Sequence, residues 1–262
     1  MTLRRRAAHL VGALLATTSL ATTANAANTP APSPKTTLLV LGDSLTWGSN
    51  YFSKAQSRLA SSGTFESVVV DGWWSRRIGG IISTTYSGTN TYKKLVKNGL
   101  KPTAVIVALG TNDVFFLSRP REYATLIREL MNTIGNVPVV WVNVHRVESP
   151  TTKRRSAIFN TTLQRVLVEY PLASIFDWAT MAQTTPGLMA WDKIHHSPAG
   201  YEARTRAYLL LAETLAQRAV DMTTTTTTAP ATTVPATTVP TSTLPASTVP
   251  ATTLPPATTV AP

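Results

Sequence analysis

Three short stretches of this 262-residue chain hold side chains that could together transfer an acyl group. Gly42-Asp43-Ser44-Leu45 offers a hydroxyl, and Gly110-Thr111-Asn112-Asp113 offers a carboxamide. Asp192-Lys193-Ile194-His195 places a carboxylate three residues before an imidazole. A serine hydroxyl is a poor nucleophile at neutral pH and attacks a carbonyl only with a base in hydrogen-bond reach. A carboxylate on the far nitrogen of that base fixes its tautomer, and an amide donor can receive the charge that develops on the carbonyl oxygen. Each stretch also has an ordinary reading. Gly-Asp-Ser is a common turn composition, Asn112 could cap a helix, and Asp192 with His195 could be a surface ion pair. The chemistry requires all three at one place.

Whether they meet depends on the elements that carry them. Thr37–Leu41, Ser67–Val70, Ala104–Leu109, Val137–Val144 and Ala173–Phe176 are apolar runs without polar alternation. Such runs indicate strands covered on both faces, as in a parallel sheet. Helical spacing appears between them. Phe52, Ala55 and Leu59 share one face; Tyr123, Leu126, Ile127, Leu130 and Ile134 share another; Ile158, Leu163, Val166 and Leu167 form a third. Ser197-Pro198 reads as an N-cap followed by proline at the first helical position. The pattern predicts an α/β fold, a three-layer α/β/α sandwich around a five-stranded parallel sheet. Functional residues in such sheets collect just past the carboxyl ends of the strands. The hydroxyl follows the first run, the carboxamide follows the third, and the Asp/His pair precedes the last helix.

With these blocks in this order, the sequence resembles the SGNH, or GDSL, hydrolase superfamily over Lys35 to about Asp221. The resemblance implies a flavodoxin-like sandwich and an acyl-enzyme mechanism. Ser44 would be the nucleophile, His195 the base and Asp192 its orienting acid, with the oxyanion held by the Ser44 N–H and the Asn112 side-chain amide. His196 is adjacent to the base but lacks the three-residue spacing from Asp192. The second family block departs from the pattern. A glycine is expected after the second strand, where this chain reads Asp71-Gly72-Trp73-Trp74-Ser75-Arg76-Arg77. Counting from the strand end puts Ser75 in that place as the third oxyanion donor, with Arg76 as the alternative. This variant block, together with Phe176-Asp177-Trp178, is more weakly similar to the SGNH domains of cell-wall and polysaccharide O-acetyltransferases.

Substrate contacts are expected from Trp47 and Trp191, beside the first and last blocks, and from Trp74 and Arg76 in the variant loop after the second strand; aromatic faces suit a sugar ring or an apolar alcohol. The expected function is a serine esterase for short-chain acyl esters, acetyl in the first instance, of a carbohydrate or cell-wall polymer. An O-acyltransferase with the same residues, a lipase for longer acyl chains, and a non-catalytic wall-binding protein are the alternatives. No metal or organic cofactor is implied, because serine ester hydrolysis needs none.

The ends of the chain concern location. Arg4–Arg6, the apolar stretch His9–Thr23 and Ala24-Asn25-Ala26 read as a secretory signal over residues 1–26. Its apolar run is short of the ~20 residues that span a bilayer. Residues 27–34 read as a Pro-rich linker, 35–222 as the hydrolase domain, and 223–262 as a disordered Thr/Pro tail without a charged residue. The tail repeats ATTVP, ATTVP, TSTLP, ASTVP, ATTLP over 231–255, and proline every fifth residue blocks helix and sheet. It suits a wall-spanning spacer or an inert solubilising tail. The absence of cysteine excludes a disulfide scaffold and thiolate chemistry. Removing the signal takes three of the 24 Lys/Arg and none of the 13 Asp/Glu, so the formal charge falls from +11 to +8. For an exported α/β protein that charge points to an anionic cell-wall or membrane surface rather than to nucleic acid.

Overall fold

Five strands alternate with helices along residues 36–227, the part of the chain that the computed structural model describes. The segments read as signal and linker, and the tail beyond Thr227, lie outside the described residues. The strands are β1 (Thr37–Gly42), β2 (Ser67–Gly72), β3 (Ala104–Ala108), β4 (Val139–Val142) and β5 (Ala173–Phe176). All pairings are parallel, and the order across the sheet is β2-β1-β3-β4-β5. The chain moves from β1 to one side and then returns to the other, so the direction of winding reverses between β1 and β3. The carboxyl ends of those two strands therefore open onto a crevice.

The helices are α1 (Ser44–Ser53), α2 (Ala55–Ser61), α3 (Gly88–Lys97), α4 (Asp113–Phe116), α5 (Pro120–Ile134), α6 (Pro150–Leu167), α7 (Trp178–Thr184) and α8 (Pro198–Thr227). They cover both faces, which explains the unbroken apolar runs. In β1, Leu39 and Leu41 enter a core with Tyr123, Ile127, Leu130, Phe159 and Leu163. Leu38 and Val40 enter the opposite core with Leu59, Trp178, Tyr208 and Leu215. All four β1 side chains are fully buried, each contributing about 1.5–3 kcal/mol. The strand that leads into the hydroxyl is thus firmly held.

Several boundaries differ from the sequence pattern. Phe52 does not share a face with Ala55 and Leu59. Lys54 takes a left-handed conformation (φ 54°) and ends α1, so Phe52 is turned outward while Ala55 and Leu59 are buried. β4 is shorter than the apolar run because Pro138 has no N–H for the ladder, and the Val144 N–H is taken by the Asn160 side chain at 2.9 Å. α3 had no counterpart in the pattern. Its buried face is Gly88, Thr89, Thr91 and Tyr92, too polar to show as an apolar stripe. α8 runs to Thr227, five residues past Met222. Among the described residues no helix is long and apolar enough to cross a membrane.

Candidate active site

Ser44 is the first residue of α1, directly past the end of β1. The Asp43 carboxylate caps the helix by accepting the Leu45 N–H at 2.9 Å. That cap makes the strand-to-helix turn sharp and leaves the Ser44 N–H among the donors that a helix start cannot pair internally. Gly42 permits the turn. A Cβ there would collide with the Thr46 side chain and approach the Ala108 carbonyl at 3.1 Å.

The Asp/His loop reaches across from the start of α8. His195 Nε2 lies 3.2 Å from Ser44 Oγ, and His195 Nδ1 lies 2.7 Å from Asp192 Oδ2. The other carboxylate oxygen accepts the N–H groups of Ile194 at 3.0 Å and His195 at 2.9 Å. Partial burial alone would raise the Asp192 pKa. The hydrogen bonds from the His195 ring and the two N–H groups outweigh it and hold the carboxyl below its ordinary value. The loop can fold back in this way because Lys193 adopts a left-handed φ of 56°. The His195 and Asp192 side chains are 43% and 24% exposed, so the site is open to water. His196 turns the other way. It is 3% exposed and packs on Trp178 and Tyr201.

Asn112 begins α4 beyond β3, and its amide nitrogen donates to the Arg76 carbonyl at 3.0 Å. One N–H is so used, which leaves the other for a ligand. The next residue, Asp113, is fully buried and accepts the Ile78 N–H at 3.0 Å. It also faces Arg77 Nε at 3.5 Å. Burial pushes the Asp113 pKa up to about 6 against these partners. The loops after β2 and β3 are therefore bound to each other. Ser75 sits in the first of them with φ 55°, the conformation that glycine adopts without strain and that costs other residues about 1–2 kcal/mol. The Arg76 N–H is occupied by the Trp73 carbonyl at 3.3 Å, whereas the Ser75 N–H meets no acceptor among the described residues. The geometry thus favours Ser75 over Arg76 as a third donor.

The Arg76 side chain does not face the crevice, contrary to the expectation that it would touch substrate. It is 2% exposed, pairs with Asp71 at 2.7 Å, and donates to the carbonyls of Gly42, Asp71 and Thr85 at 2.8–3.0 Å. It clamps the ends of β1 and β2 together. Trp47 and Trp74 pack edge to face at 5.3 Å, Trp47 half-buried and Trp74 exposed, and Trp47 stacks on Tyr51 at 4.9 Å. Trp191 projects alone and is 94% exposed. On the β3 side Phe115 and Phe116 are also exposed, capped by Arg146 and Arg77 at 4.9 and 5.1 Å. The signal for this second aromatic pair in the sequence is the two adjacent phenylalanines close behind the Asn112 block.

Solved structures with similar folds are those of a lipase/acylhydrolase from Enterococcus faecalis, a carbohydrate acetylesterase family member from Sinorhizobium meliloti and an aryl esterase from M. smegmatis. The first is 19% identical, with a TM-score of 0.55, and the match covers 70% of this chain and 96% of that one. The second is 17% identical at 0.55, covering 70% and 99%. The third is 17% identical at 0.55, covering 69% and 99%. No curated protein sequence matches the chain. Residues 40–203 match the GDSL-like lipase/acylhydrolase family, a span that contains all three chemical blocks. The chain belongs to that family within the SGNH superfamily and is an SGNH-type carboxylic ester hydrolase.

Proposed function

We propose that the protein is an exported serine esterase that removes short acyl groups, acetyl first among them, from a carbohydrate or cell-wall polymer. The observation that carries this reading is the continuous chain from Ser44 Oγ through His195 to Asp192, at 3.2 and 2.7 Å. Ser44 Oγ attacks the ester carbonyl while its proton passes to His195 Nε2. Asp192 stabilises the imidazolium. The negative oxygen of the tetrahedral intermediate is received by the N–H groups of Ser44 and Ser75 and by the Asn112 side chain. The C–O bond to the alcohol breaks, and His195 returns the proton to the departing oxygen. Water then enters by the same route, His195 takes its proton, and the acyl–Ser44 bond is cleaved to release the acid and restore the hydroxyl.

The rim supports a sugar-bearing alcohol. Trp47 and Trp74 form a partly exposed aromatic wall, and a sugar-like preference accords with the carbohydrate acetylesterase among the structural neighbours. Export rests on the reading of residues 1–26, and attachment near an anionic wall rests on the Thr/Pro tail and the basic charge. The test is hydrolysis of 4-nitrophenyl esters of increasing acyl length, by wild type and Ser44→Ala, with acetylated oligosaccharides as natural-type substrates. Equal turnover by the two proteins would remove Ser44 from the mechanism. A rate maximum at long chains would replace the acetylesterase reading by a lipase. Acyl transfer to an added oligosaccharide in preference to water would make it a transferase.

A further inference from the structure

Beside the Asp/His loop, Val144, His145 and Val147 leave the end of β4 and line a cavity of about 470 Å³ between α6 and α7, within the range of small-ligand sites. Its polar lining is one-sided. His145, Lys153 and Lys193 face it with Ser156 and Gln183, and no carboxylate is among the lining residues. The two lysines come from different elements, α6 and the loop that carries the acid–base pair. Neither is in an ion pair among the described residues. The acids on adjoining segments are engaged elsewhere: Glu148 with Arg146 and Thr152, Asp177 with Asn143 and Thr180, and Asp192 with His195. Burial and then the charge of Lys153 hold the His145 pKa below its ordinary value, so the ring is neutral near pH 7 and the lysines supply the positive field.

The cavity also has a fixed relation to the reaction centre. Lys193 directly follows Asp192, and its carbonyl accepts the Val147 N–H at 3.3 Å, so the catalytic loop forms one wall. β4 lies two strands from β1, about 10 Å at ordinary strand spacing. The cavity lies on the other side of β1 from the loop after β2 that carries Trp74, so a group seated here would extend a substrate held at Ser44 toward β4.

We propose that this cavity is a subsite for an anionic group, carboxylate or phosphate, on the alcohol part of the substrate, held by Lys153 and Lys193 with a hydrogen bond from His145. The proposal rests on the esterase reading of Ser44 and adds the chemical class of its substrate: esters of acidic or phosphorylated sugars. The test compares kcat/KM for the acetyl esters of methyl glucoside, methyl glucuronoside and glucose 6-phosphate at low salt. At least one anionic ester is expected to exceed the neutral one roughly two- to thirtyfold, the range for two part-exposed ion pairs. Which of the two does so identifies the source of the charge. The anionic-to-neutral ratio should fall toward one in Lys153→Gln, recover in Lys153→Arg, and shrink at high salt. Equal rates on all three esters, or a preference that survives Lys153→Gln, would overturn the subsite. Failure of wild type on every ester, 4-nitrophenyl acetate included, would instead overturn the esterase reading. The subsite is then tested alone by titrating Ser44→Ala with methyl glucuronoside and with glucose 6-phosphate while following the His145 ring by NMR. An upward shift of its pKa supports the subsite, and no shift with either compound overturns it.

Discussion

Arg76 separates a structural role from a substrate role by measurement, and Arg76→Met is the sharper substitution. The methionine stem fills the space of the arginine stem and removes every donor. Asp71 then loses its partner at 2.7 Å, and the carbonyls of Gly42 and Thr85 lose theirs at 3.0 and 2.9 Å. Breaking a buried ion pair from one side costs about 3–5 kcal/mol. Asp71 is 27% exposed, so water offsets part of this; the Gly42 carbonyl keeps the Trp73 N–H at 3.3 Å and Thr85 is exposed, so each lost carbonyl bond adds only about 0.5–1.5 kcal/mol. A net loss near 3–4 kcal/mol follows, equivalent to a drop of roughly 6–16 °C in the thermal midpoint for a domain of this size. The kinetic effect has a specific form. Arg76 presents its own carbonyl to the Asn112 amide, so loosening the clamp would misplace the amide proposed to receive the oxyanion. kcat on 4-nitrophenyl acetate should fall by up to about 10²–10³ with KM little changed. Arg76→Lys should recover only part of either loss, because one ammonium cannot reproduce the planar fork that reaches Asp71 and the backbone carbonyls together. A melting temperature within a degree or two of wild type, with the whole defect in KM, would refute this reasoning and return Arg76 to the substrate.

Three further outcomes are expected. Asp192→Asn should lower kcat by about 10²–10⁴, because an amide opposite His195 Nδ1 favours the tautomer whose proton points at Ser44; steady-state turnover within tenfold of wild type at pH 8 would contradict it. Asn112→Ala should lower kcat by about 10²–10³, and a pure KM effect would show that the amide is not aimed at the oxyanion. Asp113→Asn tests the carboxyl that burial pushes up to about 6. Folded protein retains that proton where unfolded chain has released it, so this group's contribution to stability declines as pH rises from about 4 to about 6. The total change is about 3 kcal/mol. The variant lacks this decline, so its stability relative to wild type should climb across that window and level off above it. Denaturation curves showing the same difference at pH 4 and pH 7 would sink the assignment.

What the sequence made legible follows from what kind of signal each element carries. β1, β3 and β4 were readable because both faces of each are covered, which leaves no polar position to interrupt the run. α5 and α6 were readable because one face meets the core and the other meets water. α3 was not, because its buried side is Gly88, Thr89 and Thr91 with Tyr92 as its one large apolar residue, too little to show as a stripe. Ser44, Asn112, Asp192 and His195 could be placed near one another because each lies next to an element whose end was visible. Arg76 reads as a substrate contact because a charged residue in a loop is usually exposed. Its burial depends on Gly42, Asp71 and Thr85, which come from three separate places in the chain. The cavity lined by Lys153 and Lys193 was hidden for the same reason, since those residues are forty positions apart in the sequence.

The site divides into two parts with separate supports. Asn112, Asp113, Ser75 and Arg76 form one body, closed by Asn112 on the Arg76 carbonyl and by Asp113 on the Ile78 N–H. Asp192 and His195 form another, closed by the carboxylate on its own loop and by the Ala190 N–H on the His195 carbonyl at 2.8 Å. The two bodies share Ser44, whose N–H faces one task and whose Oγ faces the other. The 3.2 Å separation from Oγ to Nε2 is at the long end for such a bond, and apo sites commonly tighten only when substrate is bound. The His195 side chain is nearly half exposed, so the alcohol group proposed to sit against Trp47 and Trp74 would shield the imidazole from solvent. Small esters that leave this rim empty should therefore show low kcat as well as high KM, while sugar esters that cover it should gain in kcat.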